Sequence, residues 1–463
     1  MLAPTETHEY LKQRLAETIG LLPLDDDQGL VSLILELPDF PRLAPTLAGP
    51  QFQFAHGDHR TLHAGYGVAA EWQAMGPMRF HQLRATAQAA RASWTQLDVD
   101  DTGHRGFALL GFAASPMELE TDERDHLPNA LLWVPEVALR GHHDRGALIL
   151  TTTLPASAAA LLARWQGWIE RLVPALRQVE PTADPGPIRL RRDQNQPEIV
   201  GWEHLVESAL KQIAEGKLDK VVISRRLRVT GARPFDRARL MTTLGRLFPS
   251  CQLVSISRNE THFVAATPER LVACSGDRIE VDAIAGTVAR AAHPHRDAAL
   301  GEALLNSVKD RREHDLVIDA IRAALTTCSD QIEIPEVPVL MRLKNAQHLW
   351  SPIRARVAPG MDVFRLAELL HPTPATNGEP RNAASSWLRR TEPINRGWYT
   401  GAAGIVEPDL TGDLWVMLRC AQICRDRADL FAGAGIVAGS DPLCEWQETE
   451  DKLGAMLTAL QFA

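Results

Sequence analysis

Near the C-terminus three apolar strand patterns follow one another, "GWYTGAAGIVE", "GDLWVMLRCAQICR" and "ADLFAGAGIVAGS", and a helix pattern, "EWQETEDKLGAMLTAL", closes the chain. A second run stands upstream: "CQLVSISR", "THFVAAT" and "RLVACSGDRIEVDAI", joined by short turns. Strands gathered in runs and broken by runs of helix favour an α+β fold over a wound parallel sheet, in which the two would alternate. The expected fold is one large α+β architecture, strand-rich layers flanked by helices.

The first part is mixed. "NALLWVPEVALRG" and "GALILTTTL" read as paired strands around a turn at His142 to Arg145, and "SAAALLARWQGWIERLVPALRQV" reads as a long helix. "EPTADPGPIRLRRDQNQPEI" is rich in Pro, Asp and Gln and reads as the linker. Beyond it "GWEHLVESALKQIAEG" is a helix ended by Gly216, and "KLDKVVISRRLRV" a strand. The boundary falls between residues 1–195 and 196–463.

A chain of 463 residues, 45% hydrophobic and 23% charged, can bury a large core. Its net charge of -9 speaks against a general nucleic-acid binder, though a local cluster of cations or a metal can still receive a small anion. The six cysteines show no metal-type spacing or disulfide framework, so the reducing cytoplasm is the expected compartment. The N-terminal pattern is an amphipathic helix carrying acids, not a signal peptide, and no apolar run is long enough to span a bilayer. "GHHD" around His142 reads as a turn, not a metal site.

"KDRREHDLVIDAIRAAL" carries an apolar face in its second half and a crowd of charges in its first. Residues three and four apart share one helix face, so Asp310 and Glu313 point the same way. In the last helix Glu445, Glu448 and Lys452 do likewise. Acids are favoured at helix N-termini by the dipole. That suits Glu445 and Glu448, but "EALLNSV" ahead of Asp310 already reads as helix. Carboxylates facing one another from two helices repel unless a cation sits between them, and an all-oxygen set suits Mg²⁺. "FAGAGIVAGS" has the glycines of a dinucleotide loop but runs into "SDP" where that motif needs a helix. Lys220 stands in the otherwise apolar "KVVIS". "HPTPATNGEP" reads as a rigid structural loop.

The order "KVVISRRL", "ATPERL", "AIAGTVAR", "KDRREH", "QHLWSPIRA", "HPTPATNGEP", "RGWYTGAAG", "WVMLRCA", "FAGAGIVAGSDPLCEWQETEDKL" strongly resembles the chorismate-utilising enzymes, the family of isochorismate, salicylate, anthranilate and aminodeoxychorismate synthases. The resemblance covers roughly Trp202 to the C-terminus, and it implies that both halves belong to one intertwined domain. It implies further that Glu313 and Glu448 hold Mg²⁺, with Asp310 and Glu445 beside them as outer partners. The cation would neutralise the ring carboxylate of chorismate. Arg419, Tyr399, Lys452 and the backbone at Gly433 to Gly435 would grip the enolpyruvyl carboxylate, and Gly286, Thr287 and His348 would line the same pocket. Many members carry Arg directly after "GT"; here Val288 stands there and Arg290 two further on. Lys220 matches the family's water-activating base, which has to be desolvated to be neutral part of the time, and Glu269 its acid, held protonated by apolar surroundings. "HPTPA" resembles the loop of the isochorismate-forming members. The resemblance therefore leads us to expect conversion of chorismate to isochorismate, with salicylate synthase or a non-catalytic chorismate-binding relative as alternatives. The pathway would be menaquinone, siderophore or salicylate synthesis. The expected protein is a monomer with no amidotransferase, nucleic-acid or membrane partner.

Overall fold

The computed structural model describes residues 4–38, 40–58, 61–117, 127–142, 145–176, 186–344 and 346–463. Two largely antiparallel sheets face each other; among the described residues one has 13 strands and the other ten. Strand residues alternate between faces. Ile34, Ala147 and Ile149 of the larger sheet therefore point to the core between the sheets, where they meet Leu109, Leu131 and Trp133 of the smaller one. Their neighbours Leu33, Leu35, Leu148 and Leu150 point the other way. That outer face is covered by helices Pro4–Thr18, Ala158–Ala175, Arg237–Leu247 and Pro442–Gln461. The smaller sheet is backed by helices Arg79–Ala92, Val308–Thr326 and Val363–Leu370. The architecture is α+β. Strands from both sides of residue 196 stand in each sheet.

Several local readings need correction. The proline-rich segment is not a plain linker: Leu190–Gln196 is an edge strand paired with Lys220–Gly231. Its polar residues suit an edge, where one flank stays solvated. Residues 180–185 lie outside the described part. "NALLWVPEVALRG" is two strands, Ala130–Val134 in the smaller sheet and Val137–His142 in the larger, divided at Pro135, which cannot donate to a ladder. The paired strands are Val137–His142 and Arg145–Leu154. His142 ends the former, and the two residues after it in "GHHD" are not among those described. The helix before "KDRREH" stops at Asn306, and a new one starts at Val308, its N-cap Ser307 accepting from the Asp310 N–H. Asp310 is therefore in a first turn after all, where the helix dipole favours an acid. A helix does begin at Pro442, capped by Asp441, but Gly433 and Gly435 lie within strand Arg427–Ile436 and not in a phosphate-binding turn.

Two of the connections that pass from one sheet to the other carry Glu269 and Arg419. Strand Thr261–Thr267 of the larger sheet runs through Pro268 and Glu269 into Arg270–Ser275 of the smaller. "GDLWVMLRCAQICR" makes the reverse passage: Gly412–Val416 lies in the smaller sheet and Cys420–Cys424 in the larger. The break comes at Arg419, with φ +46°. The two passages are bonded together. Val416 N–H donates to Glu269 O (3.0 Å), Thr267 Oγ1 to Val416 O (2.6 Å), and Ala266 N–H to Arg419 O (3.2 Å).

Candidate active site

The fourteen residues that the sequence singles out for substrate, cation or proton transfer all line one cavity of about 130 Å³. They come from both sheets and from two helices, each for a local reason. At the start of strand Lys220–Gly231, Lys220 and Val222 face the cavity, while the alternating Val221 and Ile223 pack under helices on the other side. Gly435 and Gly433 stand opposite Val222 and Ser224 on the neighbouring strand and form the floor. A methyl group there has no room. On Gly435 it would meet Glu313 Oε1 at 2.8 Å and Lys220 Cε at 2.9 Å; on Gly433 it would meet Ile223 O at 2.9 Å and the Tyr399 hydroxyl at 3.0 Å. Gly286, at φ +75°, occupies a bulge that re-registers the strand so that Thr287 stands opposite His348.

The cationic wall is built around Arg419. Its Nη2 donates to His348 Nε2 (2.8 Å), so the His348 proton sits on Nδ1 and is donated to Thr287 Oγ1 (3.0 Å). Burial, then Arg419 and Lys452, hold the His348 ring well below its ordinary pKa and hence neutral. Nε and Nη1 of Arg419 are buried without a partner. Buried donors are costly to leave unpaired, so this guanidinium is arranged for an anion. Lys452 Nζ donates to Gly433 O (2.9 Å) and pairs with Glu448 (2.5 Å). Tyr399 stacks on Phe431 at 5.4 Å, and burial raises its hydroxyl pKa.

Lys220 is 1% exposed and Glu269 4%. Burial first, and the Asp282 charge second, push Glu269 up to about 8, against the pull of Lys220 and Arg419. That is the state a proton donor at neutral pH requires. Lys220 is desolvated as expected, but it is not alone: its Nζ donates to Glu313 Oε1 at 2.8 Å. The Lys220 ammonium and burial compete at Glu313; its net shift is downward.

The remaining acids test whether a cation fits. Lys309 reaches Glu445 at 3.3 Å. Burial first, then Glu313 and Glu448, raise the Asp310 carboxyl; burial first, then Glu448, raises Glu445. Four carboxylates from two helices thus face three lysines and repel one another. Among the described residues no three such side chains converge into a finished cage. An all-oxygen donor set whose repulsion the three lysines only partly relieve suits Mg²⁺, which keeps much of its water and takes few carboxylates.

The sequence reading missed Val222, Lys309, Thr376, Leu418 and Phe431, which also line the cavity. Val222 follows from Lys220 by strand alternation, and Lys309 stood in plain view beside the acids. Thr376 belongs to the proline-rich segment, which is more than a scaffold. The half-buried Arg396 ties it down, donating to Thr376 O (2.8 Å) and Val222 O (2.7 Å) and pairing with Glu392 (2.6 Å). Arg290 is outside: it pairs with Asp297 at 2.8 Å and donates to Leu343 O.

Buried Lys220 and Glu269, a guanidinium with two unpaired nitrogens and a cluster of carboxylates thus line one cavity. Residues 25–461 match the chorismate binding enzyme family model, and the chain belongs to that family. It is 32% identical over 353 residues to the isochorismate synthase MenF of Bacillus subtilis, covering 76% of this chain and 74% of the relative. It is 42% identical over 262 residues to the salicylate biosynthesis isochorismate synthase of Pseudomonas aeruginosa, 56% of this chain and only 54% of that protein's length. The solved menaquinone-specific isochorismate synthase MenF of Escherichia coli superposes with a TM-score of 0.79 at 27% identity, over 99% of both chains.

Proposed function

We propose that this protein is an isochorismate synthase, converting chorismate reversibly to isochorismate with Mg²⁺. The observation that carries this reading is that one cavity holds buried Lys220, buried Glu269 with its raised pKa, and an Arg419 whose Nε and Nη1 are unpaired. Arg419, with Lys452 and the Gly433–Gly435 backbone, binds the enolpyruvyl carboxylate. Lys220, in its neutral amine form, takes a proton from water as the water oxygen bonds to C2. The ring double bonds shift, the C4–O bond breaks, and Glu269 gives its proton to the departing hydroxyl. One water enters and one leaves, so the reaction is balanced and reversible. Glu313 and Glu448, with Asp310 and Glu445 beside them, would hold the Mg²⁺, which when bound neutralises the ring carboxylate. No ammonia enters this scheme, so no amidotransferase partner is needed.

The test is product chromatography of purified enzyme with chorismate and Mg²⁺, beside a coupled lactate dehydrogenase assay for pyruvate. Isochorismate at an equilibrium ratio, without matching pyruvate, is expected. Stoichiometric pyruvate with salicylate would make the protein a salicylate synthase, and no turnover at all would make it a non-catalytic chorismate binder.

A further inference from the structure

Asp282 has no part in the chemistry above, yet it stands directly behind the acid. It lies on strand Arg278–Ala289, partly buried, and its two carboxylate oxygens are separately engaged. Oδ1 accepts from Trp350 Nε1 (2.8 Å), and Oδ2 accepts from the backbone N–H of Arg270 (3.1 Å), the residue next to Glu269. Both contacts are donors, which only the ionised carboxylate satisfies fully.

We propose that Asp282 is the positioning residue of the acid: its braced carboxylate fixes the backbone beside Glu269 and keeps the proton of the pair on Glu269. This inference rests on the role given to Glu269 in isochorismate formation. Two neighbouring carboxyl groups separate their roles when one is hydrogen-bonded and the other is not. Burial raises Asp282 on balance, with Glu280 adding to it, while the Trp350 and Arg270 N–H bonds and the Arg270 guanidinium favour its ionised form. Burial raises Glu269 most, the Asp282 charge raises it further, and Lys220 and Arg419 lower it. Against the pull of the two cations, the Asp282 charge adds to burial in keeping the proton on Glu269. A general acid works only below its own pKa, so activity is lost as pH rises through that value.

Asp282→Asn removes the charge and should move the alkaline limb of kcat/KM down by about one unit. At pH 8.5 the rate should fall about tenfold against wild type, while at pH 6 it stays within about twofold. Trp350→Phe keeps the carboxylate but removes one brace, and should move the limb the same way. It decides the matter if thermal melts show that Asp282→Asn is unfolded at the assay temperature. Difference infrared titration of the protonated carboxyl band, assigned by its loss in Glu269→Gln, reads the Glu269 proton without turnover. The proposal predicts the band near neutral pH in wild type and at lower pH only in Asp282→Asn. An unchanged alkaline limb in a folded variant, or a Glu269 band indifferent to Asp282, would overturn it. If instead the band behaves as predicted but no isochorismate forms, the functional reading fails and the Asp282–Glu269 coupling stands.

Discussion

A single methyl group placed on the cavity floor tests how closely the base, the carboxylates and the substrate are fitted. The Cβ of Gly435→Ala would lie 2.8 Å from Glu313 Oε1 and 2.9 Å from Lys220 Cε. Ordinary contact begins near 3.4 Å, so the ion pair must retreat by about 0.6 Å or more. Both obstructing groups are ends of flexible side chains, so the fold should bear the change at about 1–3 kcal/mol, the usual cost of overpacking. Catalysis has no such tolerance: a displacement approaching 1 Å costs on the order of 10²-fold. We therefore expect kcat to fall roughly fiftyfold or more, with only a modest loss of thermal stability. Gly433→Ala should differ in kind, because there the methyl meets the Ile223 carbonyl, and backbone cannot swing aside. Chorismate turnover, KM and a melting curve are needed for each. A folded Gly435→Ala enzyme with kcat within twofold of wild type would refute the idea that the Lys220–Glu313 pair is set against this glycine.

Lys220→Gln and Glu269→Gln should each lower kcat by roughly 10²–10⁴-fold, the worth of positioned proton transfer, while KM moves little; near-normal turnover in either would remove that group from the mechanism. Arg419→Ala should chiefly weaken binding, by about ten- to a hundredfold in KM, because a charge-assisted bond contributes about 1.5–3 kcal/mol. An unchanged KM would mean that its unpaired nitrogens serve something else. Glu313→Gln and Glu448→Gln should nearly abolish activity in folded protein, far beyond Asp310→Asn, and excess chelator should silence the wild type. Full activity in chelator would exclude the Mg²⁺ requirement. In wild type, kcat/KM should decline as pH rises past about 8, where Glu269 loses its proton.

The α+β class was legible because clustered strands leave little alternative. The cavity-lining residues were legible through the resemblance of nine short blocks, not through periodicity. What escaped was set at longer range. Nothing in "NALLWVPEVALRG" says that its two halves belong to different sheets, since an apolar residue serves either face. The Ser307 break was hidden because the residues around it are acceptable helix formers, and only the cap bond to Asp310 N–H reveals it. The Lys220–Glu313 contact joins residues 93 positions apart, a distance over which charge pattern carries no signal. Thr376 was passed over because a proline-rich stretch specifies a rigid shape without saying what the shape faces.

The two sheet-to-sheet passages deserve a mechanical reading. Glu269 and Arg419 ride on strands stitched to each other, so they form one caliper with a fixed opening. If one sheet slides against the other, that opening is preserved. Lys220 is borne by the larger sheet and Glu313 by a helix on the smaller, so the same slide changes their separation. On the proposed mechanism, the span from carboxylate anchor to leaving hydroxyl would be set by a rigid gauge, and the side of water attack by an adjustable one.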